Sequence, residues 1–194
     1  MKLKYLFALS TAAVVPAALA AEPQVDLRTN LGTIRLELYP EKAPKTVENF
    51  LQYVRDGHYN GTVFHRVIDG FMIQGGGFDG GFKQKKTRLP IANEAQAGVK
   101  GGLKNEPGSV AMARTADPNS ATAQLFINVG DNNFLNWGDP RSDGNGYAVF
   151  GKVVSGMDVV TKIAKTPTGP GGPFPRDVPR SPVVIESMTV VSGK

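Results

Sequence analysis

The chain has 194 residues, 41% hydrophobic and 20% charged, a balance that fits one globular domain with its own core. It contains no cysteine and only two histidines, which excludes disulfides, thiol catalysis, thiolate metal sites and a histidine-rich metal centre. The formal charge of +5 includes Lys2 and Lys4 of a leader-like segment, and the remaining +3, without an Arg/Lys stripe interleaved with aromatics, does not argue for nucleic-acid binding.

Residues Met1 to Ala20 have the layout of a secretory signal peptide. Lys2 and Lys4 form the basic start, Tyr5 to Leu19 the apolar stretch, and Ala18-Leu19-Ala20 the small residues before a cleavage point. A membrane span needs about 20 mainly apolar residues. This run is shorter and contains Ser10, Thr11 and Pro16. The expectation is a mature protein of residues 21–194, exported, soluble and without membrane association. In a Gram-negative cell it is periplasmic, and otherwise secreted.

Val25 to Thr29 and Thr33 to Leu38 read as paired strands around a turn at Asn30-Leu31-Gly32. In the second, Ile34, Leu36 and Leu38 alternate with Arg35 and Glu37, giving one buried and one wet face. Pro44 opens a helix, where its missing N–H is harmless. Val47, Phe50, Leu51 and Val54 form its buried stripe, and Gly57 ends it.

Next come two short β-like runs, Val63 to Ile68 and Phe71 to Gln74, joined by the hairpin-forming dipeptide Asp69-Gly70. Alternation sets Arg66 opposite in facing to Val67, and Phe71 opposite to Met72. Gly75-Gly76-Gly77 is expected to end the sheet pattern and to admit close backbone approach. Residues Gly75 to Gly80 also match a dinucleotide-type glycine pattern, but no apolar helical period follows. Gly146 to Lys152 has P-loop spacing, yet Val153 stands where the hydroxyl residue belongs. Neither supports nucleotide binding. Asn60-Gly61-Thr62 fits a glycosylation pattern and reads as a turn.

Phe78 to Gly108 is expected to be loop, with Lys83, Lys85, Lys86 and Arg88 as a solvated basic run. Ser109 to Ala113, Leu125 to Val129 and Tyr147 to Val154 read as core strands. Ser155 to Ala164 reads as a second helix with Met157, Val160 and Ile163 inward. Thr166 to Pro182, rich in proline and glycine, is expected to be loop. Val183 to Val191 is a closing strand, expected to pair with the first. Many short strands and two helices point to a mainly β, antiparallel barrel.

The stretch Phe64-His65-Arg66-Val67-Ile68-Asp69-Gly70-Phe71-Met72-Ile73-Gln74-Gly75-Gly76-Gly77 resembles the signature of the cyclophilin-type peptidyl-prolyl isomerases. So do Ser109 to Thr115 and Ala123-Gln124-Leu125-Phe126-Ile127-Asn128, in the family's order. The resemblance extends from about Val25 to the end, with the nearest likeness among bacterial periplasmic members. It implies a closed eight-stranded antiparallel barrel capped by two α-helices, no cofactor, no metal, and a monomer. It implies catalysis by Arg66, oriented by Gln74. Phe71, Met72, Phe126 and Leu135 would line a proline pocket. Ala113, Arg114 and Gln124 would border the peptide, with Phe134 and Tyr147 beside the groove. Partners would be proline-containing peptides and unfolded exported proteins. Phe134 stands where many eukaryotic members carry tryptophan and Tyr147 where they carry histidine, so cyclosporin binding would be weak. Arg114 replaces a smaller polar residue of that pattern.

These residue types suit the chemistry. The barrier to Xaa–Pro rotation is amide resonance, about 18–20 kcal/mol. A catalyst needs no nucleophile and no metal. It needs an apolar grip on the proline ring and a donor aimed at a nitrogen that becomes basic as the amide twists. Arg66 offers five permanent donors. Each residue also has a plainer reading. The apolar ones can be ordinary core, Arg66 can be an ion-pair partner of Asp69, and His65 a satisfied core histidine. A competing function is a peptide-binding, holdase-like module that uses the same groove without turnover.

Overall fold

The computed structural model describes residues 22–191, so the leader-like segment lies outside the described residues. Strands β1 (Gln24–Thr29) and β2 (Gly32–Leu38) pair as the alternation predicts. Val25, Leu27, Ile34, Leu36 and Leu38 are all fully buried. On the outer face Arg35 grips Asp26 at 2.7 Å.

Helix α1 (Pro44–Arg55) starts at the proline and buries Val47, Phe50, Leu51 and Val54. Its free N-terminal amides are capped from a distance. Glu94 accepts hydrogen bonds from the backbone N–H of Lys45 at 3.1 Å and of Thr46 at 2.8 Å. Gly57 takes the left-handed conformation, φ +65°, just past the helix.

Strands β3 (Thr62–Ile68) and β4 (Met72–Asp79) form the expected hairpin over Asp69-Gly70. The triple glycine does not end the sheet. It lies inside β4, because three neighbours need the space a Cβ would fill. A Cβ on Gly75 would sit 2.9 Å from the Val63 carbonyl, one on Gly76 2.8 Å from the Tyr59 ring, and one on Gly77 2.5 Å from the Gln124 side chain. The pairing then continues to Asp79 opposite Thr62, across an irregular stretch.

Helix α2 (Ala95–Lys100) falls in the region expected to be loop. It buries only Ala95 and Gly98, so its sequence carries no apolar stripe to read. Strands β5 (Ser109–Met112), β6 (Leu125–Asn128) and β7 (Val149–Ser155) follow, then α3 (Met157–Ala164). Val160 and Ile163 of α3 are fully buried, and Met157 is partly buried against the same core. A further correction concerns Thr166 to Pro182. It is a hairpin, β8 (Thr168–Gly171) with β9 (Phe174–Pro179), not a loop. Proline and glycine depress strand propensity, but both are tolerated in a two-stranded ribbon with no further neighbour to pair. Last, β10 (Val184–Val191) pairs with β1, as expected, and with β3.

The order β1-β10-β3-β4-β6-β5-β7-β2 closes on itself into an eight-stranded antiparallel barrel, with β8–β9 as a separate ribbon. The buried faces of α1 and α3 enter the same core as the strands. Among the described residues there are three α-helices rather than two. Lys83, Lys86 and Arg88 are exposed as expected, but Lys85 is half-buried and its ammonium donates to the His58 carbonyl.

His65 is the extra residue of a bulge in β3: Phe64 lies opposite Gly75 and Arg66 opposite Gln74. The imidazole is 3% exposed and packs between Phe78 (4.7 Å between centroids) and Phe174 of β9 (5.2 Å). It is a core histidine, but not a satisfied one, since Nδ1 has no hydrogen-bond partner. Burial, helped by nearby Arg66, pushes its pKa down to about 4. Between about pH 6.5 and 4 the unfolded chain therefore binds a proton that the folded one does not. Stability is full above that window and falls as the pH drops through it, by roughly 2–3 kcal/mol between pH 7 and pH 4.5. Urea unfolding at the two pH values measures this. His65→Phe should flatten that part of the slope, and an unchanged slope would assign it to other groups.

Candidate active site

Strands β5 and β6 are buried on both faces, and β4 and the first half of β7 nearly so. Ile73, Val110, Met112, Leu125 and Ile127 point into the barrel. The alternate residues Met72, Ala111, Phe126 and Val149 point outward and join Leu103 and Leu135 in a second apolar cluster. Strand register makes this a row. Arg66 lies opposite Gln74, Gln74 opposite Phe126, Phe126 opposite Ala111, and Ala111 opposite Val149. The β3 bulge matters here. It keeps both Phe64 and Val67 in the barrel core while turning Arg66 out to the end of the row.

A cleft of about 180 Å³ opens on this outer face. Met72, Phe126 and Leu135 are its buried apolar residues, with Phe71, Ala113 and Tyr147 partly buried around them. Arg66, Gln74 and Arg114 complete the lining. Nine of the eleven residues singled out from sequence thus meet in one cavity. The other two contact its lining residues. Gln124 accepts a hydrogen bond from the Gln74 amide at 3.1 Å, and Phe134 stacks on Phe71 at 5.9 Å between centroids. Phe71 and Met72 do not face opposite ways as strand alternation suggested. Phe71 precedes β4, in the turn, and both side chains reach the cleft.

Arg66 is exposed and donates to Gln74 Oε1 at 3.4 Å. Among the described residues it makes no salt bridge, so the pairing with Asp69 does not form. Gln74 uses its carbonyl for Arg66 and its amide for Gln124, which fixes the orientation of a residue with two interchangeable ends.

Arg114 is placed differently from a free groove cation. Its side chain is 3% exposed and every end of the guanidinium is occupied. It meets Asp143 at 2.7 and 2.9 Å, the Gly146 carbonyl at 3.1 Å and the Thr115 carbonyl at 2.9 Å. Its guanidinium carbon also lies 4.3 Å over the Tyr147 ring. It forms cleft wall and fastens the Asp139–Tyr147 segment, with a fork geometry that lysine could not supply.

The sequence reading missed a buried asparagine chain. Asn105, Asn128 and Asn132 are at most 3% exposed. Asn132 donates to the Phe71 carbonyl at 2.8 Å and to Asn128 Oδ1 at 2.7 Å. Asn128 donates to Asn105 Oδ1 at 3.1 Å and to Ser109 Oγ at 2.8 Å. Asn105 donates to the carbonyls of Leu135 at 3.2 Å and Tyr147 at 3.3 Å. Three side chains that line the cleft are therefore tied through their own backbones to one polar chain. Its only sequence signal is an asparagine in an apolar strand followed by Asn132, Asn133 and Asn136. Their partner Asn105 is more than twenty residues away, which spacing does not disclose.

No group of three or more His, Asp or Glu able to hold a metal occurs among the described residues, and no described helix is long and apolar enough to cross a membrane.

A family model described as cyclophilin type peptidyl-prolyl cis-trans isomerase/CLD matches residues 24–190. Peptidyl-prolyl cis-trans isomerase B of Escherichia coli is 57% identical over 166 residues, covering 86% of this chain and 98% of that protein. A peptidyl-prolyl cis-trans isomerase of Acinetobacter baylyi is 53% identical over 179 residues, 92% of this chain and 91% of the other. Among solved structures, a cyclophilin type peptidyl-prolyl cis-trans isomerase of Cryptosporidium parvum superimposes with a TM-score of 0.69 at 26% identity, covering 89% of this chain and 99% of that one. The same protein, in the presence of the dipeptide Ala-Pro, gives 0.67 at 26% identity, covering 88% and 99%.

Asn128→Ala strands polar atoms of Asn105, Asn132 and Ser109 in a buried site. The expected cost is roughly 2–4 kcal/mol in urea unfolding, with shifted amide resonances at Phe71, Leu135 and Tyr147 in the folded variant. Unperturbed resonances at those three would show that the network does not set the cleft walls.

Proposed function

Since this chain belongs to the cyclophilin-type peptidyl-prolyl cis-trans isomerases, we propose that it isomerises Xaa–Pro bonds in the cleft beside Arg66, with Arg66 as the catalytic donor. One observation carries the reading. A guanidinium with no acidic partner among the described residues, held by Gln74, stands at the end of an apolar row that lines a cleft of about 180 Å³. An ion-paired arginine would be spent on its partner, whereas this one keeps donors for a guest.

The proline ring rests on Met72, Phe126 and Leu135, with Phe71 at its side. Burial of the ring holds the residue while the preceding carbonyl turns. As the C–N bond twists, the nitrogen loses conjugation and gains a lone pair. Arg66 donates to that lone pair, which exists only near the transition state, so the contact lowers the barrier rather than merely tightening binding. By analogy with oxyanion-hole donors it is worth about 3–4 kcal/mol, several hundredfold in rate. Gln74 holds Arg66 in position, and Gln124 holds Gln74. Ala113 leaves room for the peptide backbone, while Arg114 and Tyr147 form the wall. The Ala-Pro dipeptide present with the Cryptosporidium protein is in keeping with such a guest. A holdase without turnover has no use for a donor aimed at a twisted amide. Cyclosporin binds weakly in this reading, because Phe134 is stacked on Phe71 and has no N–H to donate. The chain acts as a monomer in this reading: among the described residues the exposed large apolar ones, Leu89, Trp137, Val154 and Val190, are few.

The substrates are unfolded or flexible segments of exported proteins. The support is the leader-like segment: basic start, apolar stretch, then Ala18-Leu19-Ala20. N-terminal sequencing of the protein from expressing bacteria should begin at Ala21. A retained Met1 in a cytosolic fraction would remove the export reading.

Exchange NMR on a short Xaa–Pro peptide tests the mechanism without a coupled protease. Arg66→Ala should lower kcat/KM by about a hundredfold or more with the fold intact. A loss under about tenfold would rule out the proposed role of Arg66.

A further inference from the structure

We propose that the cleft continues past Arg66 into a second recess under the β8–β9 hairpin, and that this recess takes a large apolar side chain of the substrate from a position flanking the proline. This rests on reading the Arg66 cleft as the proline site.

The recess measures about 380 Å³ and shares Arg66 and Gln74 with the cleft. Because two adjacent side chains border both cavities, a peptide seated in the first has neighbouring residues within reach of the second. An extended chain advances about 3.3 Å per residue, so the three positions on either side of the proline reach about 10 Å from it. The recess is lined by the rings of His65, Phe78 and Phe174. Phe78 and Phe174 meet edge to face at 5.1 Å and are only partly buried, so they keep apolar surface for a guest. Phe82 extends the cluster, 6.1 Å from Phe174.

The lining rather than its net charge favours an apolar guest, since three aromatic rings face it while Arg66, without an acidic partner among the described residues, is committed to the proline site in this reading. Burial keeps the His65 ring neutral at pH 7. Arg176, at the hairpin edge of the recess, is answered by Asp177 beside it at 3.5 Å. Amide groups for the substrate backbone are at hand in Gln74 and Gln124, which also border the recess.

The hairpin is seated under strain. Phe82 (φ 60°) and Asp177 (φ 66°) are the non-glycine residues with positive φ among the described ones; Asp177 lines the recess and Phe82 packs behind it against Phe174. Such a backbone is uncommon for any side chain and an outlier for a bulky one, and it persists only where the surroundings over-determine it. Here they do. Asp79 Oδ1 accepts from the N–H groups of Gly81 and Lys83, both at 2.9 Å, fixing the turn that carries Phe82. The Phe82 ring in turn fills the space beside Gly172, where a Cβ would lie 2.5 Å from it. Residues held this way cluster at ligand clamps, and a wall built in advance costs a guest little ordering.

The test is a peptide series. An alanine-rich peptide with one Ala-Pro bond carries a single Phe, moved through the three positions on each side of that dipeptide, and exchange NMR gives kcat/KM for each. At one position Phe should raise kcat/KM about fivefold or more over the all-alanine peptide, and Phe174→Ala should abolish that gain. The all-alanine peptide should stay within about twofold in the variant. No gain at any position, a gain that survives Phe174→Ala, or a larger gain with Glu than with Phe would each overturn the proposal. If Phe174→Ala impairs the all-alanine peptide as well, the wild type decides. Intermolecular NOEs from the peptide's Phe ring to Phe78 and Phe174 are expected, and their absence overturns the recess. If the wild type leaves the all-alanine peptide unaccelerated, the proline-site reading fails, and the NOEs still decide the recess separately.

Discussion

Period-two alternation on strands that bury both faces is the constraint on which the rest of the molecule depends. In most antiparallel sheets one face is wet. Here β5 and β6 carry apolar groups inward and outward alike. The inward set closes the barrel core with α1 and α3. The outward set is buried as well, packed under Leu103, the Phe134-Leu135 turn and Tyr147, and the cleft opens over it between those loops. Site and scaffold are thus two faces of the same strands, and a one-residue register slip would exchange them.

The bulge at His65 resolves a conflict between those faces. Phe64 and Val67 are three residues apart, yet both belong to the barrel core. Strict alternation cannot allow this, and one extra residue does. The same residue aims Arg66 across the sheet at Gln74. Its imidazole is left with an unpaired buried nitrogen, a cost accepted beside the site, where such irregularities are common.

Loops supply half of the cleft, and polar groups rather than apolar ones hold them. The asparagine chain fixes the backbones of Phe71, Leu135 and Tyr147, and Arg114 clamps the segment that ends in Tyr147. A buried, fully partnered network permits few alternative arrangements, because each alternative strands a polar atom. An apolar core would hold the same loops less specifically. Rigid walls suit a catalyst that works by preference for one twisted geometry.

The barrel strands, α1, α3 and the pairing of the last strand with the first were legible in the sequence, since apolar periodicity reports which face of an element meets the core. So were the residues of the cleft, although there the family signatures carried what periodicity could not. Helix α2 was illegible because it buries too little to leave a stripe, and β8–β9 because its proline and glycine content reads as loop. Alternation put Phe71 and Met72 on opposite faces, and the turn before β4 overrode it. Arg114 was expected to border the peptide, and only the folded chain shows Asp143 and the Gly146 carbonyl closing around its guanidinium. The sequence by itself determined the barrel strands, α1 and α3 and their core faces, because those follow from local periodicity, and it supplied the chemical set of the site through the family signatures. Tertiary structure alone decided the bulge that aims Arg66, the asparagine partners and the seat of the hairpin, because each depends on contacts between residues distant in the chain.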